Sequence, residues 1–178
     1  MAENLDLAQI ISGCKQGREE SFSQLVDLYS SRCYGYFYRL TGNRDLCDDL
    51  LSELFVKLVE RISTYKGGSF DGWIFRVASN IFYDYLRKKQ RDQKLIEKQK
   101  DLVVESVGHN IRHNESDRID KLQVQLNRID EETRELIMMR FYSQLSFKEM
   151  AEMRGEPIGT TLTKLHRGLK KLTAMMEK

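Results

Sequence analysis

Proline is almost missing: Pro157 is the only one in 178 residues. Proline removes a backbone donor and breaks helices, so long helices can run unobstructed along nearly the whole chain. Runs with the strict apolar–polar alternation of half-buried strands are also scarce. Cysteine is sparse and odd in number, and Cys14, Cys33 and Cys47 form no CxxC pair. That argues against a disulfide scaffold or zinc site and for reduced, partly buried thiols. No apolar run approaches the roughly 20 residues of a membrane span, and MAENLDLAQI lacks the cation-then-apolar order of a secretory leader. The expectation is a cytoplasmic protein with no membrane insertion. Histidine is limited to three, and neither a Ser/His/Asp set nor a phosphate-cradling glycine loop is visible. No catalytic residue, metal site or cofactor is therefore expected. His109 and His113 have the i, i+4 spacing of a metal pair, but only the common carboxylates Glu115 and Asp117 stand nearby, so they are read as solvated linker histidines.

What is present suits a helix-rich protein with a real core: 40% of residues are hydrophobic and 31% charged. The net charge of +2 says little about partners. Its distribution says more. Between Asp45 and Glu60 five carboxylates face the single Lys57; between Arg87 and Lys100 seven Lys/Arg face Asp92 and Glu97; between Thr160 and Lys178 five face Glu177. One acidic and two basic segments imply more than one kind of partner surface.

The stretch Ser69–Arg91 dominates the pattern. Phe70, Trp73, Ile74, Val77, Ala78, Ile81, Phe82, Tyr85 and Leu86 make a helical stripe behind Ser69 as N-cap. The other face carries Arg76, Ser79, Asn80, Tyr83, Asp84 and Arg87, ending in Lys88, Lys89 and Arg91. Aromatic, amide and cationic groups together suit stacking on bases and neutralising phosphates; an ordinary amphipathic helix with a solvated basic end would show the same pattern. Before it, helices are expected over Asn4–Lys15, Glu19–Thr41 (stopped by Gly42) and Arg44 to about Tyr65. In the third, Cys47, Leu50, Leu51, Leu54, Phe55, Leu58 and Ile62 point inward and the acidic residues outward. These four helices make one bundle-like domain, residues 1–95.

Composition then thins to a flexible linker, residues 96–117. A second helical domain covers 118–178. There Asp130 can cap a helix running through Leu136, Ile137 and Phe141. Ser146-Phe147-Lys148-Glu149 is a capping box, Arg154-Gly155-Glu156 a turn, and Pro157 falls where the first position of a new helix favours proline. A capped short helix, a glycine turn and a helix with small polar residues first and cations later is a helix-turn-helix pattern. Its short hydroxyl side chains allow close approach to the major groove, and Lys164, Arg167, Lys170 and Lys171 can displace counterions. Helix–turn–helix pairs also occur in pure packing roles.

Taken in order, these motifs resemble the bacterial sigma-70 family of RNA polymerase sigma factors, in the small extracytoplasmic-function (ECF) group that keeps two domains. The run Asp49-Leu50-Leu51-Ser52-Glu53-Leu54-Phe55 is similar to the family's acidic core motif. Phe70, Trp73-Ile74, Ala78, Asn80, Asp84 and Leu86-Arg87 follow its next motif. Arg134, Leu145-Ser146, Glu149, Ala151-Glu152, Gly159-Thr160 and Leu165-His166-Arg167 follow its fourth-domain pattern. Departures are Ser52 where the family usually has Gln, Gln144 where Gly is usual, and Leu162 in place of a cation in the last helix.

The resemblance implies an all-α fold of two small helical domains, a four-helix sigma domain 2 and a helix-turn-helix sigma domain 4, on a flexible linker. It implies that Asp49, Leu50, Glu53, Leu54 and Phe55 dock on the beta-prime coiled coil of polymerase. Domain 4 would meet the beta flap, and an anti-sigma factor would be a further partner. A loop from Thr64 to Gly72 would capture a base flipped from the −10 element. Asn80 and Tyr83 would read that element, with Arg76, Arg87, Lys88 and Arg91 on phosphates. Trp73 is read as core before stacking platform. Thr160, Thr161, Thr163, Lys164, Arg167 and Lys170 would read the −35 element. A transcription regulator with an N-terminal ligand or dimerisation domain is the rival reading, and would bind DNA without polymerase.

Overall fold

The computed structural model describes residues 2–99, 117–143 and 145–177. Among these residues all regular structure is helical. The elements are α1 (Ala2–Lys15), α2 (Glu19–Thr41), α3 (Arg44–Arg61) with a 3-10 turn (Ile62–Thr64), α4 (Phe70–Gln99), α5 (Asp117–Asn127), α6 (Glu131–Tyr142), α7 (Phe147–Arg154) and α8 (Ile158–Met176).

Local chemistry sets the boundaries. Helix α2 stops at Gly42, whose φ of 63° is the left-handed conformation that favours glycine, and its N–H donates to Tyr38 O at 2.8 Å. The side chain of Asn43 then caps α3 by accepting from Leu46 N–H at 3.1 Å. Ser69 Oγ accepts from Gly72 N–H at 3.0 Å and opens α4. Asp130 caps α6, and the Ser146–Glu149 capping box closes in both directions. Pro157 occupies the N-cap of α8, one place ahead of the first helical residue that the sequence suggests. Helix α4 runs to Gln99, past the expected end of the first domain at residue 95. Nothing interrupts it there: no proline or glycine lies between Trp73 and Gln99. Most of the expected linker, with His109 and His113, lies outside the described residues.

The first domain closes over Leu25, Phe37, Leu40, Leu54, Leu58, Ile74, Phe75 and Ile81; the second over Leu126, Leu136, Ile137, Met139, Met150 and Leu165. Cys14, Cys33 and Cys47 are free and buried. Burial pushes the Cys47 thiol up to about 11, so it stays protonated and inert.

The two domains are packed on each other, with α2 and α4 against α5 and α6, and their cores form one apolar cluster. Glycine permits part of that approach. A Cβ on Gly35, inside α2, would stand 3.2 Å from the Tyr142 hydroxyl of α6. Phe141 lies within α6, as the sequence suggests, but outside the core. It is 67% exposed, at the edge of an apolar groove of about 640 Å³ bounded by α5, α6 and α8.

Candidate functional site

Three surfaces carry the groups that the sequence singles out. The first is α3. Asp48, Asp49 and Glu53 are exposed, with Glu53 paired to Lys57 at 2.8 Å one turn on. Leu50 and Leu54 are buried in the core, as the inward stripe predicts, so they are not available as exposed docking anchors, and Phe55 is half-buried against the core. A helix with apolar residues at 47, 50, 54 and 58 must turn that stripe inward to bury it. The apolar groups that α3 shows to solvent are Val56 and Val59, 58% and 56% exposed.

The second surface is α4 with the turn before it. Gly67 and Gly68 have φ of 107° and 88°, and Tyr65 Oη donates to Gly68 O at 2.6 Å, which closes the turn. Tyr65, Phe70 and Trp73 form an aromatic cluster with ring centroids 5.2–5.7 Å apart. Trp73 is half-buried there, so it packs as the sequence suggests. Beside the turn lies a cavity of about 410 Å³ lined by Ile11, Tyr29, Tyr65, Ser69, Phe70 and Asp71, among others. Asp71 accepts from the Tyr29 hydroxyl at 2.8 Å and pairs with Arg32 at 3.0 Å. Along α4, Asn80, Arg87, Lys88 and Arg91 are exposed. Arg76 is exposed too, 3.8 Å from Glu149 of α7. Tyr83 and Ser79 are not open to solvent in the same way, because both face the second domain.

At that contact Glu135 of α6 is completely buried. Its Oε1 accepts from Ser79 Oγ at 2.5 Å and from Tyr36 Oη at 3.2 Å. Its Oε2 accepts from Tyr83 Oη at 2.9 Å and from Arg154 Nη1 at 3.1 Å. Arg154 also donates to the Tyr83 hydroxyl. Burial raises the Glu135 pKa, opposed by the bonds from Ser79 and Tyr83 and by the Arg154 charge. The sequence reading takes Ser79 and Tyr83 as a free polar face, Tyr36 as part of the apolar stripe of α2 and Arg154 as part of a turn, and assigns no role to Glu135. One signal was available: Arg134-Glu135 stands immediately before Leu136-Ile137-Met138-Met139, all buried, and charge inside an apolar helical run needs partners.

The third surface is the α7–α8 pair. Gly155, at φ 62°, makes the turn. Thr160, Thr163, Arg167 and Lys170 are exposed on α8 and Lys164 is half-buried. Thr161, expected on the recognition face, is buried, and its hydroxyl donates to Glu156 Oε1 at 2.8 Å. It holds the turn to the helix and is removed from the base-reading set. Lys164 donates to Glu156 Oε2 at 2.6 Å. Burial works against the Glu156 charge, yet the bonds from Lys164 and Thr161 and the nearby Arg154 hold its pKa below the ordinary glutamate range. Leu162 is 41% exposed among these polar groups.

Two family models match the chain. Residues 25–92 match sigma-70 region 2 and residues 119–172 match sigma-70 region 4. Among curated relatives, the ECF RNA polymerase sigma factor SigE of Mycolicibacterium smegmatis is 28% identical over 165 residues, covering 92% of this chain and 64% of the relative. The ECF RNA polymerase sigma factor SigW of Bacillus subtilis is 26% identical over 168 residues, covering 89% of this chain and 90% of the relative. The chain thus spans just under two thirds of the first relative's length. Two solved structures share the fold. The sigma factor RpoE, in complex with the anti-sigma factor NepR from Bartonella quintana, superposes with a TM-score of 0.68 at 22% identity, covering 89% of this chain and 98% of that one. CnrH, in complex with the cytosolic domain of CnrY, gives 0.64 at 18% identity, covering 94% and 95%.

Proposed function

The chain belongs to the sigma-70 family of RNA polymerase sigma factors, in the ECF group, and from that premise we propose how its three surfaces divide the work of promoter-specific initiation. The exposed carboxylates Asp49 and Glu53 of α3 meet a basic element of core polymerase, the beta-prime coiled coil. Charge there sets rate and register. Half-buried Phe55 and exposed Val56 and Val59 supply the apolar contact, while Leu50 and Leu54 hold the helix from within.

Strand opening is the task of α4 and the turn before it. The cavity beside Tyr65, Phe70 and Asp71 offers aromatic faces and hydrogen-bonding oxygens to a base flipped out of the −10 element. Asn80 and Tyr83 read the same strand, and Arg76, Arg87, Lys88 and Arg91 neutralise its phosphates. Capture of the single strand offsets lost stacking, about 1.4 kcal/mol per base-pair step. Thr160, Thr163, Lys164, Arg167 and Lys170 of α8 face the major groove of the −35 element, with domain 4 resting on the beta flap.

The chain makes and breaks no bond itself; its contribution is binding. An anti-sigma factor is a second class of partner, supported by the fold shared with RpoE and CnrH, whose solved complexes hold NepR and CnrY. Partners of this kind, polymerase and promoter DNA, fit a cytoplasmic protein. No described helix is long and apolar enough to cross a membrane.

The observation that carries this reading is the order of surfaces in one chain: an acidic helix, a basic aromatic helix after a glycine turn, and an exposed helix-turn-helix, each within a matched sigma-70 region. Transcription in vitro with core polymerase and a pool of promoters from the source organism tests it. New start sites are expected when the protein is added. Absence of both retention on core and any new start site would overturn the reading.

A further inference from the structure

Two large apolar side chains stand exposed at the start of α8, among the groups proposed for the −35 element. Ile158 opens the helix and is 47% exposed; Leu162, one turn on, is 41% exposed. Side chains four apart in a helix lie on one face, so the pair makes a single apolar step. Thr160 and Thr163 beside it are exposed, as are Arg167 and Lys170 further along.

The first part of α8 has little else with which to hold DNA. Between Ile158 and Thr163 the helix carries no charged side chain. Its first cation, Lys164, is paired with Glu156 at 2.6 Å. The Thr163 hydroxyl donates its one proton to Gly159 O at 2.7 Å, so toward a base it can only accept. Gly159 is not required by the chain itself. Its backbone is not left-handed, and a Cβ there would meet nothing within 4 Å. Glycine weakens a helix relative to alanine, and no packing within the chain compensates for it here. The missing Cβ leaves room for an outside group to approach the backbone between Ile158 and Leu162.

Major-groove edges differ in what they ask of a side chain. All four bases present hydrogen-bonding groups, and thymine alone adds a methyl. An apolar side chain over another base leaves polar atoms dry and unpaired; over thymine it covers the methyl. A protein partner is the competing occupant. The apolar surface suited to one lies elsewhere on domain 4, in the groove of about 640 Å³ that includes Phe141, Leu169, Leu172 and Met176. The Ile158–Leu162 step is instead continuous with the hydroxyls and cations proposed for the −35 element.

We propose that Leu162, with Ile158 beside it, is a specificity-determining residue that reads a thymine 5-methyl group in the −35 element. The assignment rests on the reading of α8 as the −35 helix. An apolar contact of this kind adds base choice without adding to the salt dependence of binding, because it displaces no counterion.

Selection by holoenzyme from promoter duplexes randomised over the −35 element is the first step of the test. Thymine is expected to be enriched at one or more positions. Each selected thymine is then replaced by deoxyuridine, which deletes the methyl and keeps every hydrogen-bonding group. At the position under Leu162 the wild type should bind the thymine duplex about fourfold more tightly than the deoxyuridine duplex, the weight of one methyl taken out of water. Leu162→Ala should bring that ratio to about one. Leu162→Met, apolar and of similar size, should keep it. Leu162 is exposed and alanine favours helices, so the alanine variant keeps the fold.

A defined −35 preference without thymine, or a deoxyuridine ratio that Leu162→Ala leaves unchanged, would overturn the methyl contact and leave α8 as the −35 helix. An unchanged ratio together with lost retention on core would give the patch to a protein partner. Selection of no base at all would remove the −35 reading of α8 and the thymine contact with it.

Discussion

Lys164 and Arg167 lie one helical turn apart on α8 and carry the same charge, yet the structure predicts different contributions to −35 binding. Lys164 donates to Glu156 at 2.6 Å and lies 4.0 Å from Glu132. Arg167 is exposed, and among the described residues no salt bridge holds it. A cation on a phosphate releases about 0.9 counterion per contact, which sets the salt slope of binding. Over a fourfold rise in salt, from about 50 to 200 mM, one full contact is worth roughly 3.5-fold in affinity. Arg167→Ala should therefore flatten the slope by about 0.9. Lys164→Ala should flatten it by clearly less, because in the free protein Glu156 already neutralises much of that charge. Glu156→Gln supplies the check. Its carbonyl can keep the bonds that Oε1 accepts from Thr161 and Arg154, while its amide replaces Oε2 and releases Lys164. In that background Lys164→Ala should cost the full 0.9 or so. Fluorescence anisotropy of holoenzyme on a −35 duplex, titrated at several salt concentrations, measures the slopes of the wild type and the four variants. Equal slopes for the two alanine variants, or no change with Glu156→Gln, would refute this account of the recognition helix.

Two further outcomes are expected. Asp49→Lys with Glu53→Lys should slow association with core polymerase by roughly tenfold and weaken its salt dependence, with the circular dichroism spectrum unchanged; both side chains are exposed, and stopped-flow binding reads the rate. Ser146→Ala should cost about 1 kcal/mol of domain 4 stability by removing the capping box. It should also remove an acid-sensitive component. Hydrogen bonds from the Ser146 backbone and side chain hold the Glu149 pKa below the ordinary glutamate range. That contribution is present above the unfolded value and is lost as pH falls through the folded one. Urea melts of both proteins at neutral and strongly acidic pH compare the two.

Local signals in the chain predicted local structure well. Gly42, Ser69, Asp130 and the Ser146–Glu149 pair act through bonds spanning three or four residues, so their partners lie within the same short window of sequence. The stripes of α2 and α4 were legible for the same reason, since a helix repeats its face every three to four residues. Misplacements came where a pattern defines a face without saying what covers it. Leu50 and Leu54 fit a docking motif and an inward stripe equally well; the bundle's need for a core takes them. Phe141 continues the helical period of α6 but lies in its last turn, beyond the elements that cover Ile137. Thr161 belongs by spacing with Thr160 and Thr163, yet its neighbour Glu156 lies across a turn whose geometry Gly155 sets.

The polar face of α4 shows why part of the functional surface lay beyond sequence reasoning. Hydroxyl, phenol and guanidinium groups that suit a nucleic-acid strand suit a buried carboxylate equally well, because both offer anionic oxygens to the same donors. Composition fixes the chemistry of such a face and leaves its partner open. Tyr83, proposed as a reader of the −10 strand, here donates to Glu135, as Ser79 does.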